Sequence, residues 1–311
     1  MRTSERIKVI LDTDIGDDID DAIALSFALG SPEFDLLGVT VVYGDVVTRA
    51  RIARRLLRLR GRDDVPVLAG FERPMQFDWH PGTVPEECSQ RLAVADDVEP
   101  VDRSRGAAEF IASRAREHPG ELYVLTIGAM TNLAAAICMD ASVARNLAGV
   151  VSLAGYVPPR QAIPEWNVRY DPLAAQVVCR CGVPWTAIGA DVQGENRLTA
   201  VEFAALQAAR RPWADFLLRL VVLMKRHKGG GDPNVRAIED VASAHVADVM
   251  TLASFLVGEQ MDLRPGVIEV ASDGALAFRP NEAGPHRMAH ARLPGRAYRA
   301  EIVRRILAED G

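Results

Sequence analysis

Apolar runs typical of strands alternate with helical patterns over roughly the first two thirds of the chain. IKVILD (7–12), LLGVTVVYGD (36–45), VPVLAG (65–70) and ELYVLTIGA (121–129) read as strands, with helical segments between them. The strands of a parallel sheet are covered on both faces, so they appear as nearly continuous apolar runs. Strands that alternate with helices build βαβ units around such a sheet. The sequence therefore predicts an α/β fold with a Rossmann-like, mostly parallel sheet flanked by helices.

The last third of the chain is predicted to be a mainly helical C-terminal portion. Two helical patterns, 199–227 and 241–258, are separated by HKGGGDPNVR (227–236), whose glycines and proline predict an irregular loop. A short β-rich tail follows around GVIEVASDGALAF (266–278). No repeat and no Ser-, Gly- or Pro-rich linker divides the 311 residues, so we expect one domain spanning 1–311.

The composition limits the kinds of molecule that this protein is expected to bind. The formal net charge is −6, whereas nucleic acids and anionic membrane surfaces attract basic proteins. The N-terminus lacks the apolar core of a secretory signal, and no stretch offers the roughly 18 apolar residues of a membrane span. The four cysteines show neither zinc-type spacing nor a disulfide framework. We expect a cytoplasmic protein that binds a small molecule, with no nucleic acid and no membrane as partner.

The segment ILDTDIGDDIDDAIAL (10–25) concentrates six aspartates between two apolar runs. Asp12 and Asp14 lie where the first strand ends, and ligands of open α/β sheets bind outside such strand ends. Two like charges about 4 Å apart repel by roughly 4 kcal/mol at an effective dielectric of about 20. Either several of these carboxylates face solvent, or a cation lies among them. Oxygen ligands without histidine or cysteine favour calcium or magnesium over zinc.

Several segments in sequence order resemble the inosine-uridine nucleoside hydrolase family. They are LDTDIGDDIDDAIAL (11–25), VTVVYGD (39–45), VPVLAG (65–70), LTIGAMTNLA (125–134) and EWNVRYDPLAA (165–175). Each segment alone is a common pattern, but the ordered set is specific to this family. The resemblance implies Ca²⁺-dependent hydrolysis of the N-glycosidic bond of ribonucleosides, giving free base and ribose, by a homodimer or homotetramer.

The resemblance also implies roles for individual residues. Asp14 would bind calcium and act as the general base that accepts a proton from a water on the metal. The further calcium ligands implied are Asp21, the backbone carbonyl of Ile127, and Asp248. The residues implied to bind the ribose hydroxyls are Asp20, Glu165 and Asn167.

Two departures from the family pattern concern the ribose side of the expected site. The spacing between Gly16 and the Asp-Asp-Ala motif is longer by two residues than the commonest family spacing. Asp18 is therefore an alternative for the role given to Asp20, or for a metal position. Asp45 stands where the family has asparagine, which predicts another carboxylate near the ribose.

A third departure concerns the leaving base. Ala247 replaces a histidine that protonates the base in some family members, and His227 and His245 are candidate substitutes. The missing histidine favours one alternative function, a nucleoside- or ribosyl-binding protein with little turnover. The other alternative is a phosphohydrolase of the haloacid dehalogenase type. That type needs a catalytic lysine, and the sequence has few lysines that could serve. Base preference is expected to depend on the loops near 75–90 and 225–240.

Overall fold

The computed structural model describes residues 6–76, 87–101, 106–158, 160–192, 197–228, 230–290 and 295–308. The strands within these ranges are β1 Ile7–Thr13, β2 Phe34–Val41, β3 Val67–Ala69, β4 Leu122–Thr126, β5 Leu147–Leu153, β6 Trp185–Ile188, β7 Arg197–Thr199, β8 Ser243–His245, β9 Leu263–Val270, β10 Leu276–Pro280 and β11 His286–Ala289. The α-helices are α1 Asp20–Leu29, α2 Val46–Leu59, α3 Ala107–Glu117, α4 Thr131–Met139, α5 Ser142–Asn146, α6 Trp166–Tyr170, α7 Pro172–Arg180, α8 Ala200–Ala208, α9 Pro212–His227, α10 Val249–Val257 and α11 Gly295–Ile306.

The central sheet has nine described strands in the order β10-β9-β11-β6-β5-β4-β1-β2-β3. Its neighbouring strands are parallel except at β9, which runs antiparallel to both β10 and β11. The chain builds outward from β1 to β3 and then crosses to the other side of β1 with β4. That reversal is the switch point at which Rossmann-like folds open a crevice for ligands. The predicted α/β class with a mostly parallel sheet flanked by helices is confirmed.

The side chains of β1 alternate between two core clusters, one on each face of the sheet. Val9 and Leu11 pack into the cluster that includes α1, α2, α9 and α10, and Ile10 packs into the cluster of α3, α4 and α7. Because both faces are covered, β1 appears in the sequence as a continuous apolar run. Helix α1 is buried along its whole length and packs against α10. This packing brings the start of α1 close to Asp248, the residue before α10.

The helix predicted over 199–227 is two helices in the structure. Helix α8 ends at Ala208, and Arg210 then takes a positive φ of 49°. Pro212 begins α9, where its missing amide is not needed by the helix. The prediction of one continuous helix was wrong because it overlooked this proline.

The helix predicted over 241–258 begins later than expected. Ser243–His245 forms β8, which pairs antiparallel with β7, and α10 begins only at Val249. The β-rich tail predicted around 266–278 is present as β9 and β10. Within the described ranges, no helix combines the length and the apolar character needed to span a membrane.

Candidate functional site

A cleft of about 800 Å³ opens at the carboxyl ends of the parallel strands, around the switch point between β1 and β4. Its floor receives residues at or just past four strand ends: Asp14, Ile127, Leu153 and Ala190. Most of the residues singled out from the sequence line this cleft. They are Asp14, Asp18, Asp20, Asp21, Ile127, Glu165, Asn167, His227, His245 and Asp248.

Three carboxylates meet in one wall of the cleft. Oxygen atoms of Asp20, Asp21 and Asp248 lie within 4.8 Å of one another. All three side chains are buried. The hydroxyl of Thr13 donates to Oδ1 of Asp21 at 2.5 Å, and the amide of Ala247 donates to Oδ2 of Asp20 at 3.4 Å. The docking of α1 against α10 therefore brings together acidic residues from opposite ends of the chain.

Burial opposes ionisation of these carboxylates. It raises the pKa of Asp20 to about 7 and the pKa of Asp14 to about 6, and neighbouring carboxylates add to both increases. The pKa values of Asp21 and Asp248 are raised well above the ordinary value, first by burial and then by the other aspartates. A bound cation would favour the ionised forms. Clustered carboxylate oxygens are the donors that hard divalent cations such as Ca²⁺ prefer, so these residues fit such an ion.

Asp12 has a structural role and does not line the cleft. Its Oδ1 accepts hydrogen bonds from Thr40 Oγ1 at 2.5 Å and from Asn132 Nδ2 at 2.7 Å. Its backbone carbonyl accepts from the amide of Ile127 at 2.8 Å. Burial raises the pKa of Asp12 to about 7. Asp12 thus joins the end of β1 to β2, to α4 and to the segment after β4, which holds the edge of the cleft in place.

Asp17 and Asp18, the residues of the longer loop, each pair with a basic side chain. Nη2 of Arg49 lies 2.7 Å from Oδ2 of Asp17, and the amide of Ser89 donates to Oδ1 of Asp17 at 2.8 Å. Nζ of Lys228 donates to Oδ2 of Asp18 at the cleft mouth, where both side chains are about half exposed. Neither carboxylate belongs to the close group of three.

Asn167 contacts the backbone carbonyl of Ile127, and Glu165 contacts the backbone of Asn167. Nδ2 of Asn167 donates to the oxygen of Ile127 at 3.0 Å and to that of Leu153 at 3.2 Å. Oε1 of Glu165 accepts from the amide of Asn167 at 3.0 Å, and Oε2 accepts from that of Val168 at 3.4 Å. Burial raises the pKa of Glu165 to about 7. Both side chains and Ile127 line the cleft.

Asp45 occupies a different place from the one expected. It does not line the cleft. Its Oδ1 accepts from the amide of Thr48 at 3.0 Å and caps the N-terminus of α2. Aspartate at this position satisfies an amide that the helix itself leaves unpaired. The expectation that Asp45 adds a carboxylate near the ribose stays a prediction, although this carboxylate already caps α2.

The two candidate acids, His227 and His245, both line the cleft, from the end of α9 and from β8. Burial lowers the pKa of His245, and the nearby charge of Arg197 lowers it further. At neutral pH the imidazole of His245 is therefore mostly uncharged.

Sequence reasoning missed the buried Arg49 and, among the residues that line the cleft, Lys228 and the aromatic side chains. Tyr43 packs edge to face against Trp166, with ring centroids 6.2 Å apart. Trp166 had a signal in the sequence, because it stands between two residues already singled out. Tyr156 and Lys228 had none, since only the fold brings them to the cleft.

Comparison with known proteins agrees with this geometry. The chain matches the family model described as inosine-uridine preferring nucleoside hydrolase over residues 9–305. It is 29% identical over 295 residues to a protein named probable uridine nucleosidase 2 from Arabidopsis thaliana, covering 88% of this chain and 85% of that protein.

Two solved structures also resemble the chain over nearly its whole length. A plant nucleoside hydrolase has a TM-score of 0.75 at 25% identity, covering 98% of this chain and 99% of that one. A purine-preferring ribonucleoside hydrolase from Gardnerella vaginalis has a TM-score of 0.74 at 25% identity, covering 98% and 100%. The chain therefore belongs to the inosine-uridine preferring nucleoside hydrolase family, and the enzyme class predicted from its sequence, an N-glycosyl hydrolase, is confirmed.

Proposed function

We propose that this protein hydrolyses the N-glycosidic bond of ribonucleosides to free base and ribose, with Ca²⁺ as its metal. One observation carries the proposal: the carboxylates of Asp20, Asp21 and Asp248 meet within 4.8 Å, in the same cleft as Asp14 and Ile127. Hydrolases of uridine and of purine ribonucleosides are among the similar proteins, which supports a ribonucleoside as the substrate.

The residues that would hold the cation are Asp14, Asp21, Asp248 and the backbone carbonyl of Ile127. When bound, Ca²⁺ supplies a Lewis acid that orients a water molecule and lowers its pKa. Asp20 belongs to the same close group of carboxylates. A ribose hydroxyl bound by Asp20 would therefore lie next to the cation as well.

Asp14 is proposed as the general base. Burial raises its pKa to about 6, while the charge of Arg49 acts against that increase. Such a carboxylate is ionised at neutral pH and is a stronger base than an ordinary aspartate. As water attacks the anomeric carbon, a C–O bond forms, the C–N bond breaks through an oxocarbenium-like state, and Asp14 takes the proton of the water.

The departing base needs a proton on the nitrogen that leaves the sugar. His227 and His245 are the proposed donors because both line the cleft. Burial and the charge of Arg197 lower the pKa of His245, which disfavours the protonated form that an acid needs. Of the two, His227 is proposed as the leaving-group acid.

Glu165 and Asn167 are proposed to bind the ribose, together with Asp20. Their side chains lie in one wall of the cleft, and Glu165 is buried there. A site whose buried polar groups are paired by a substrate hydroxyl rejects an analogue that lacks it, because those groups are then left unpaired. We therefore expect 2′-deoxyribonucleosides to be poorer substrates than ribonucleosides. Asp18, held at the cleft mouth by Lys228, is proposed as a peripheral contact for the substrate.

A panel of uridine, cytidine, inosine, adenosine and guanosine, assayed for free ribose, tests the function. We expect at least one nucleoside to release ribose in calcium, a chelator to stop the reaction, and added Ca²⁺ to restore it. Tight nucleoside binding without ribose release from any member of the panel would contradict the proposal. The same panel measures base preference. The similar proteins do not indicate it, because they include both uridine and purine hydrolases.

We further propose that the protein acts in the cytoplasm as a homodimer or homotetramer. The resemblance to the nucleoside hydrolase family supports the proposed homodimer or homotetramer. Analytical ultracentrifugation distinguishes either oligomer from the 33.8 kDa monomer.

A further inference from the structure

Arg49 lies behind the bend that carries Asp14, and its side chain is almost completely buried. Its Nε donates to the carbonyl of Tyr43 at 2.6 Å. Its Nη1 donates to the carbonyls of Asp14 and of Ile15, the latter at 3.1 Å. Its Nη2 pairs with Oδ2 of Asp17 at 2.7 Å. One guanidinium thus contacts backbone or side-chain oxygens at four positions around the bend.

Only glycine suits the centre of the bend, because of its backbone conformation and its close contact with Cys88. Gly16 has a φ of +130°, a conformation that other residues rarely adopt. A Cβ atom there would lie 3.4 Å from Nη1 of Arg49 and 3.1 Å from Sγ of Cys88. Buried backbone carbonyls need hydrogen-bond donors, and the guanidinium supplies them where the chain leaves the sheet.

The segment at 88–90 holds the same bend from the opposite side. The amide of Ser89 donates to Oδ1 of Asp17 at 2.8 Å, and its hydroxyl donates to the carbonyl of Asp17 at 3.0 Å. The amide of Gln90 donates to the carbonyl of Gly16 at 2.9 Å. Asp17 is therefore fixed between Arg49 and Ser89.

Stability alone is a weak explanation for a buried arginine at this position. The cost of removing two charges from water is often as large as their attraction, so apolar residues commonly serve stability as well or better. The planar guanidinium of arginine carries five donors in a rigid arrangement, so it can also fix the orientation of several acceptors at once. Here three of the four acceptors, on Asp14, Ile15 and Asp17, belong to the bend that carries the proposed general base.

We propose that Arg49 is a positioning residue, whose guanidinium holds the bend from Asp14 to Asp17 so that the Asp14 carboxylate faces the close group of three carboxylates. Asp17 in turn keeps the guanidinium in place and is not itself a metal ligand. This inference rests on the proposed function, because it assigns Arg49 a purpose in the proposed cation site.

The alternative is that Arg49 only balances the negative charge of the cleft. The two explanations predict opposite changes in calcium affinity for Arg49→Met. Loss of a counter-charge would leave more uncompensated negative charge around the cation and would strengthen Ca²⁺ binding. Loss of positioning would weaken it, by roughly 10- to 100-fold as for other residues that support metal ligands.

The experiment measures calcium affinity without substrate, by isothermal titration, in the wild type and in Arg49→Met, Arg49→Lys and Asp17→Asn. Arg58→Met is the matched control, since Arg58 lies on the same helix but pairs with Asp63 and Glu99 at the surface. We expect weaker binding in Arg49→Met, an intermediate loss in Arg49→Lys, a smaller loss in Asp17→Asn, and no change in the control. Unchanged or tighter binding in a folded Arg49 variant would overturn the proposal. If Arg49→Met does not fold, Arg49→Lys and Asp17→Asn decide it.

Hydrogen exchange in chelator gives a second readout that needs neither metal nor activity. We expect Arg49→Lys to speed amide exchange in the peptide spanning residues 13–18 and to leave the second half of α2 unchanged. Identical exchange in the wild type and in this variant would show that Arg49 does not hold the bend. If the wild type hydrolyses no nucleoside, the proposed function fails, while the exchange result still decides whether Arg49 positions the loop.

Discussion

Nδ2 of Asn167 donates to the backbone oxygen of Ile127 at 3.0 Å, which joins a residue proposed to bind ribose to a carbonyl proposed to bind calcium. The same amide donates to the oxygen of Leu153 at 3.2 Å. Asn167 therefore bridges the ends of two neighbouring strands, β4 and β5, at the floor of the cleft. With the roles proposed above, substrate affinity and metal affinity would be linked through this one side chain.

Asn167→Ala is expected to weaken both kinds of binding. Loss of the amide leaves the oxygen of Ile127 without its donor and removes a ribose contact. We expect KM for the best nucleoside and Kd for Ca²⁺ to rise together, each by roughly 10-fold or more. Steady-state kinetics and calorimetric titration measure the two changes. The exposed Asn281, whose Oδ1 accepts from the backbone amide of Ala283 in a surface turn, provides the control Asn281→Ala. A rise in KM with unchanged Kd would show that the link does not operate.

Asp14→Ala and Asp17→Ala are expected to differ sharply in turnover. Removing a general base costs roughly 10²- to 10⁴-fold in rate, so Asp14→Ala should abolish measurable kcat. Asp17→Ala removes one hydrogen-bonded partner of Arg49, which keeps its backbone acceptors, and should lower kcat by about tenfold or less. Ribose release in saturating calcium measures both. The reverse order would mean that the longer loop is aligned wrongly with the family motif.

The stability of the metal-free protein is expected to fall as pH rises. The pKa values of Asp20 and Glu165 are raised to about 7 by burial, so the native state holds protons that the unfolded chain releases near pH 4. Their contribution to stability is complete below the unfolded pKa and is lost as pH rises through about 7. Bound Ca²⁺ favours the ionised carboxylates and should offset the loss.

Thermal unfolding followed by circular dichroism checks this dependence. In chelator, Tm should decrease between about pH 5 and about pH 8, and calcium should flatten or reverse the decrease. Parallel curves with and without calcium would indicate that the buried carboxylates do not bind the ion.

His227→Ala is expected to affect substrates according to their leaving group. Inosine needs a proton on its departing base, whereas the nitrophenolate of a nitrophenyl riboside leaves without one. The variant should therefore slow inosine hydrolysis far more than hydrolysis of the nitrophenyl riboside, while His245→Ala should have the smaller effect on inosine. Equal losses on both substrates would exclude His227 as the acid.

The sequence predicted the sheet because buried parallel strands are continuous apolar runs, as IKVIL (7–11) shows. The break before Pro212 also had a signal, since proline favours the first turn of a helix. Strand β8 had no comparable signal. Its three residues, Ser243–His245, are too few to show periodicity, and only pairing with β7 makes them a strand.

The carboxylates of the site were predictable because most of them lie in one stretch of sequence with a specific spacing. Arg49 was not. Helix α2 carries many arginines, and helical spacing places Arg49 on the buried face with Val46 and Ala53. That spacing does not identify the backbone carbonyls that its guanidinium contacts. The helix cap formed by Asp45 was also not predicted. A family motif gives the position of a residue but does not show which local hydrogen bonds its side chain makes.

The hydrogen bond from the amide of Ala247 to Asp20 joins positions 227 residues apart. A ribosome must therefore make strands β1 to β8 before the last carboxylate of the cleft, Asp248, can reach the others. Contacts of such long sequence separation are slow to form because the loop-closure entropy must be overcome first. A nascent chain cannot complete this site early. Binding of the proposed cation would then follow folding, because it requires α1 to be docked against α10.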